Sequence, residues 1–294
     1  MVVKLSELYL QLRKSLLPGE TAMSAASMAR EVLCFTTGKT REKLLADADC
    51  YVGDDVIAAT AACARRLRAG EPLAYVLGEW EFYGLPLYID RRVLIPRDDT
   101  AAVTALAVKQ AIFLPQNPRI LDLCTGAGCI GLAIASKVHD ARVTLADVSK
   151  DALAVAKSNA QRNHLLGRVA TVQADAMGTP SAFLGKFDML VSNPPYVTTQ
   201  EMDALPASVR EFEPHLALHG GEDGLDFYRA IAQNYTPILK DGGYICLEFG
   251  MGQGDRVCAI LAAAGYTILE RSRDNNDIER AVLAQLVRKE NEHG

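Results

Sequence analysis

From Arg119 onward the chain alternates short apolar runs with helical segments, and that alternation limits the fold more than any other feature of the sequence. Residues 119–123, 142–147, 169–173 and 187–192 read as strands, while 130–138 and 150–163 read as helices between them. A further strand, 244–249, follows Gly242-Gly243, and a helix spans 255–264. Residues 266–271 and 279–286 can then close the sheet as an antiparallel pair. Strands that alternate with helices build a mostly parallel sheet covered on both faces. The expected fold class is therefore α/β, with a Rossmann-like sheet.

In such a sheet, ligands bind beyond the carboxyl ends of the strands, near the reversal of strand order. Four of these ends carry chemistry. The first leads into Cys124, Thr125, Gly126, Ala127 and Gly128, whose glycines let backbone approach a ligand closely. This is not the full Gly-x-Gly-x-x-Gly fingerprint of dinucleotide binders. The second ends at Asp147, the spacing suited to an acid that grips ribose hydroxyls. The third runs to Asp175 and Ala176, with Asp175 a candidate for the exocyclic amine of adenine.

The fourth ends in Asn193-Pro194-Pro195-Tyr196, where the chemistry is expected. Two prolines supply no backbone N–H, so the loop offers carbonyls without competing donors. Asn193 adds a side-chain carbonyl and Tyr196 a flat aromatic face. Such a loop can hold a planar –NH2 group by both hydrogens while something covers its face. Asn-Pro and Pro-Pro are also ordinary turn dipeptides. The four strand ends on one sheet edge, taken together, point to a cofactor and substrate site.

Upstream, residues 1–72 read as a helical domain. Leu5, Leu8, Leu12 and Leu16 fall at helical spacing, Pro18-Gly19 breaks the run, and Thr40 is placed to cap a short helix. Asp54-Asp55 and Arg65-Arg66-Leu67-Arg68 suit the two ends of a helix dipole. Gly70-Glu71-Pro72 marks a linker. Residues 73–92 hold a hairpin around Gly84, and 93–294 form the catalytic domain.

Composition removes several classes of function. Apolar content of 49% and charged content of 23% are those of a soluble globular protein. No apolar run approaches the ~20 residues that span a bilayer, and no signal peptide is evident. Seven cysteines, without a Cys-x-x-Cys pair, argue against a disulfide framework or a zinc site and favour a reducing cytoplasm. His215 and His219 lack the third ligand that a metal site needs. A net charge of −5 provides no global basic field for nucleic acid.

The catalytic portion resembles the class I S-adenosylmethionine-dependent methyltransferases, and Asn-Pro-Pro-Tyr is similar to the loop of those acting on planar amino or amide nitrogens. Leu94-Ile95-Pro96-Arg97, Phe212-Glu213-Pro214, Gly220-Gly221-Glu222-Asp223-Gly224-Leu225 and Leu247-Glu248-Phe249-Gly250 resemble the peptide chain release factor glutamine methyltransferase family. The helical domain and hairpin fit that family too. The resemblance implies methylation of the glutamine amide in the GGQ motif of release factors, with S-adenosyl-L-methionine leaving as S-adenosyl-L-homocysteine. It places Cys124 through Gly128 around the cofactor, Asp147 on its ribose and Asp175-Ala176 at adenine. Asn193 through Tyr196 receive the amide, with Asn193 also beside the cofactor. The helical domain would dock the protein substrate. A cytoplasmic monomer without stable nucleic acid or membrane partners is expected.

Two departures stand out. Many relatives have glycine where Cys124 stands, which a small Cys satisfies if its φ is negative. Some place an aromatic beside adenine where this chain has Ala176. Competing readings are a glutamine methyltransferase of a ribosomal protein, a nucleobase exocyclic-amine methyltransferase and a cofactor-binding regulator without catalysis. The acidic charge opposes the nucleobase reading, residues 94–100 favour release factors over a ribosomal protein, and the intact Asn-Pro-Pro-Tyr loop opposes a non-catalytic regulator.

Overall fold

The apolar face of residues 5–16 turns inward on α1, the first helix in the computed structural model, which describes residues 3–287. Residues 3–78 with 207–212 form one compact unit, and 79–206 with 213–287 another. The first holds β1 (Val3–Lys4), α1 (Leu5–Leu16), α2 (Ala22–Thr37), α3 (Arg41–Ala46), β2 (Tyr51–Val52), α4 (Asp54–Arg68) and α5 (Leu73–Leu77). Leu5, Leu8, Leu12 and Leu16 are all buried, as their spacing predicts. Thr40 caps α3 by accepting the Lys43 N–H.

The border differs from the expected one at residue 72. Gly70-Glu71-Pro72 is a turn inside the helical unit, because α5 buries Val76 in the same core as Leu5, Leu33 and Cys63. Arg66 holds the turn: its guanidinium pairs with Glu71 and donates to the carbonyls of Tyr75 and Val76, each at 2.9 Å.

The second unit opens with the expected hairpin, β3 (Glu79–Phe82) and β4 (Leu85–Tyr88). Its two-residue turn has φ of 54° at Tyr83 and 80° at Gly84, the left-handed pair that matches strand twist. Then come α6 (Ala101–Ala111), β5 (Arg119–Leu123), α7 (Cys129–Lys137), β6 (Arg142–Asp147), α8 (Lys150–Arg162), β7 (Val169–Gln173) and β8 (Phe187–Ser192). Beyond them lie α9 (Thr199–Met202), α10 (Ala207–Arg210, in the first unit), α11 (Asp226–Asn234), β9 (Leu239–Glu248), α12 (Gly254–Ala263), β10 (Tyr266–Arg273) and β11 (Glu279–Leu286).

The sheet order is β10-β11-β9-β8-β5-β6-β7. β7, β6, β5, β8 and β9 are parallel, while β11 runs antiparallel to both β9 and β10. Strand order therefore reverses between β5 and β8, where a crevice must open. Every residue of β8 is buried, which explains its continuous apolar character. β9 starts earlier than expected and carries Gly242, at φ 70°, through an irregular register with β8. Helix α11 has no counterpart among the expected elements, yet it drives Tyr228 and Ile231 into the main core. Among the described residues no helix is long and apolar enough to cross a membrane.

Candidate active site

The loop after β5 is organised by a buried carboxyl. Asp122 Oδ2 accepts the Thr125 hydroxyl at 2.6 Å and the Gly131 N–H at 2.9 Å, which joins the loop to α7. Burial pushes the Asp122 carboxyl up to about 7. Between these anchors Gly126, at φ 52°, has open space where a side chain would stand, so its backbone can lie against a ligand.

Cys124 overturns an expectation, for its φ is +59° instead of negative. Its neighbours enforce the conformation: Ser192 Oγ donates to the Leu123 carbonyl at 2.6 Å, and the Thr125 N–H donates to the Ala146 carbonyl at 3.0 Å. The chain has to turn in the one residue between. That position favours glycine, and this chain sustains a side chain there against the steric cost.

Asp147 ends β6 with both oxygens engaged. Oδ2 accepts the Gly126 N–H and Oδ1 the Ser149 N–H, each at 2.9 Å. Burial raises its pKa, and the backbone donors oppose that shift. Each oxygen retains a lone pair, so the carboxylate can accept two more hydroxyl groups. Asp175 accepts the Met177 N–H at 2.9 Å, and its backbone carbonyl accepts the Tyr235 hydroxyl at 2.8 Å.

These groups line one cavity of about 280 Å³. Cys124, Thr125, Gly126, Ala127, Asp147, Asp175, Ala176, Asn193 and Pro195 are on its wall. Gly128, Pro194 and Tyr196 are not among its lining residues. Gly128 instead caps α7 at φ 85°. The Tyr196 ring packs partly against the main core, beside Gly250, and burial pushes its phenol up to about 12. Its backbone carbonyl accepts the Gln253 amide at 3.0 Å, which ties the loop down. Gly220 lies so close to this loop that a side-chain carbon there would stand 2.7 Å from the Pro195 carbonyl oxygen.

Several wall residues carry no signal of their own in the sequence. Phe227, Val148 and Met177 add apolar surface to the cavity wall. Arg97 and Thr100 enter from the segment before α6. Asn193 Nδ2 donates to Thr100 Oγ1 at 3.3 Å, so the nitrogen end of the amide faces Thr100.

A seven-stranded sheet with an antiparallel hairpin at one edge, and a cavity at the ends of its parallel strands, defines a class I methyltransferase. The fold is shared with a methyltransferase from Pyrococcus furiosus at a TM-score of 0.51 and 18% identity, covering 70% of this chain and 90% of that one. Residues 100–221 match the methyltransferase small domain family, and residues 8–78 match the PrmC N-terminal domain.

Curated relatives narrow the class further. The release factor glutamine methyltransferase of Clostridium acetobutylicum is 40% identical over 213 residues, 72% of this chain and 74% of that protein. That of Haemophilus influenzae is 38% identical over 265 residues, 86% of this chain and 88% of that protein. The chain belongs to the release factor glutamine methyltransferase family.

Proposed function

We propose that this chain transfers a methyl group from S-adenosylmethionine to the side-chain amide nitrogen of a glutamine in peptide chain release factors, the glutamine of their GGQ motif. The observation that carries the reading is that Asn193 and Asp147, from two different strand ends, face one cavity. Its residues fit the cofactor: Asp147 retains two acceptor lone pairs for a ribose, Gly126 opens its backbone, and Phe227 and Val148 offer apolar surface to a flat base. When bound, S-adenosylmethionine supplies a sulfonium-activated methyl group, so the protein's task is chiefly positioning.

An amide nitrogen is a poor nucleophile because its lone pair is delocalised into the carbonyl. Asn193 Oδ1, on the cavity wall, and the backbone carbonyl of Pro194, between the wall residues Asn193 and Pro195, would accept its two N–H groups, returning electron density to nitrogen and aiming its lone pair. Methylation would make the nitrogen's N–H groups strongly acidic, so one proton would pass to water and the chain would need to supply no strong base. Pro194 and Pro195 have no N–H, so the loop brings no backbone donors of its own at these positions to compete with the substrate's. We assign the helical unit to docking the rest of the release factor, supported by its match to a family-specific N-terminal domain.

The test offers the enzyme labelled S-adenosylmethionine with an intact release factor, the same factor with its GGQ glutamine changed to alanine, a glutamine-containing ribosomal protein, or RNA. Label on the first substrate alone is the expected result. Label on RNA, or on the alanine-substituted factor, overturns the reading. A short GGQ peptide should be methylated much more slowly than the whole factor if docking contributes.

A further inference from the structure

One face of α8 runs beside the loop after β5. Ser149 and Ala152 are on the cavity wall, and a side-chain carbon added at Gly128 would stand 3.4 Å from that of Ala156. Asn159 follows on the same face and is fully buried. Its Oδ1 accepts the Tyr88 N–H at 2.6 Å. Its Nδ2 donates to the carbonyls of Tyr88 at 3.1 Å and Ala127 at 2.9 Å.

All three partners are backbone groups, and a backbone N–H only donates while a carbonyl only accepts. The carboxamide therefore has one direction, with both Nδ2 hydrogens on carbonyls and Oδ1 on the N–H. One side chain thereby joins two strips of the cavity wall. Tyr88 ends β4 and leads through Ile89 and Asp90 to Arg92 and Val93, which are on the wall. Ala127 is on the wall in the glycine loop. The peptide between Ala127 and Gly128 is held from both sides, its carbonyl by Asn159 and its N–H by the Thr125 carbonyl at 2.8 Å.

We infer that Asn159 is a positioning residue for the cofactor, fixing the plane of the Ala127–Gly128 peptide and joining the glycine loop to the chain that leaves the hairpin. Without it the Ala127 carbonyl would lose its donor while still buried, and the peptide would turn to find another. The hairpin has other holds on α8. Asn163 Nδ2 donates to the Pro86 carbonyl at 3.0 Å, and Arg162 pairs with Glu79 at 2.7 Å. The Arg162 guanidinium also lies 4.3 Å from the centre of the Tyr88 ring. Loss of Asn159 should therefore show at the glycine loop and leave the hairpin docked.

This inference rests on the proposed use of S-adenosylmethionine. The test measures S-adenosylmethionine binding by calorimetry, and methylation of intact release factor, for the full-length chain and its Asn159→Ala and Asn163→Ala variants. Asn159→Ala should bind S-adenosylmethionine about 10-fold more weakly, the upper end of what one hydrogen bond contributes. KM for S-adenosylmethionine should rise with it, while kcat at saturating cofactor stays within about 3-fold, because the loop at Asn193 is untouched. A merely structural loss would lower the folded fraction, and so kcat, without moving KM. Asn163→Ala, which loosens the hairpin alone, should bind S-adenosylmethionine within about 2-fold of wild type. If Asn159→Ala fails to fold, hydrogen exchange on the wild-type chain decides. Saturating S-adenosylmethionine should slow exchange of the Tyr88 amide about 10-fold more than that of Leu87, its neighbour in β4.

An Asn163→Ala enzyme that loses as much affinity as Asn159→Ala overturns the inference, as does a fall in kcat with KM unmoved. Equal slowing at Tyr88 and Leu87 overturns it in the wild-type measurement. Wild-type affinity in Asn159→Ala sinks this inference alone. A wild-type chain that takes up no S-adenosylmethionine sinks the proposed function with it.

Discussion

The Glu213 carboxylate accepts the backbone N–H of Ile95 at 3.1 Å, across 118 residues of chain. Its other oxygen pairs with the Arg97 guanidinium. The Glu213 side chain is 1% exposed and that of Arg97 37%, so a buried acid holds a half-exposed base at the cavity wall. Glu213→Ala should remove about 1–3 kcal/mol of stability by leaving a buried N–H without its acceptor, measured by urea unfolding. Glu213→Gln, which retains a carbonyl, should lose less. Equal losses in the two variants would make the contact packing alone.

Asp147→Ala should weaken S-adenosylmethionine binding on the order of 10²-fold, the scale of losing charge-assisted hydrogen bonds to a ribose. The fold should survive, because the two backbone donors it releases lie at the cavity and can turn to water. Calorimetry that finds unchanged affinity removes Asp147 from the cofactor site.

Asn193→Asp keeps the shape and an acceptor oxygen but would add a charge near the sulfonium of the bound cofactor. It should bind cofactor at least as well as wild type, yet turn over more slowly, since it stabilises a ground-state charge that disperses in the transition state. Cofactor affinity and single-turnover rate measured on one preparation separate these effects. A rate at or above wild type would contradict the assignment.

Cys124, at φ +59°, occupies a conformation that costs an L-residue about 1–2 kcal/mol. Cys124→Gly should therefore be neutral or stabilising by up to about 1 kcal/mol, after the greater chain entropy of glycine is counted. Cys124→Val should be clearly destabilising, since β-branching suits this region least. Thermal unfolding of the three proteins checks the order.

Burial pushes Asp122 up to about 7 and Glu248 up to about 8, whereas both ionise near pH 4 in an unfolded chain. From about pH 4 upward the folded state holds more protons. Each group's stabilisation is thus complete below that pH and is lost as pH rises through 7 to 8. The stability of Glu248→Gln relative to wild type should then increase by a few kcal/mol between pH 5 and 8.5. A pH-independent difference in urea unfolding would show that Glu248 does not titrate in this range.

The strand ends that build the site were legible because each is an apolar run stopped by a residue with evident chemistry, such as Asp147 or Asn193. Helix α11 was not, being short and lacking a side-chain cap at Leu225, and with it Phe227 was lost from the cavity wall. Thr100 reads as the start of a helix, yet its side chain makes no cap and turns to Asn193, 93 residues away. Such pairings have no local signature. The same holds for Arg66 and Glu71, which turn a sequence resembling a linker into part of the helical unit. Nothing in the side chain of Cys124 announces a left-handed backbone, which the hydrogen bonds on either side of it impose.

The place of β11 in the sheet also sets a clock. It is the last described strand, yet it lies between β9 and β10, so one edge of β9 and the whole of β10 stay unpaired until residue 286 is made. β9 is complete at residue 248, and the remaining 38 residues take roughly 2–8 s at about 5–20 residues per second. An unpaired strand edge is a template for another chain, so that interval is when the growing sheet is open to wrong partners.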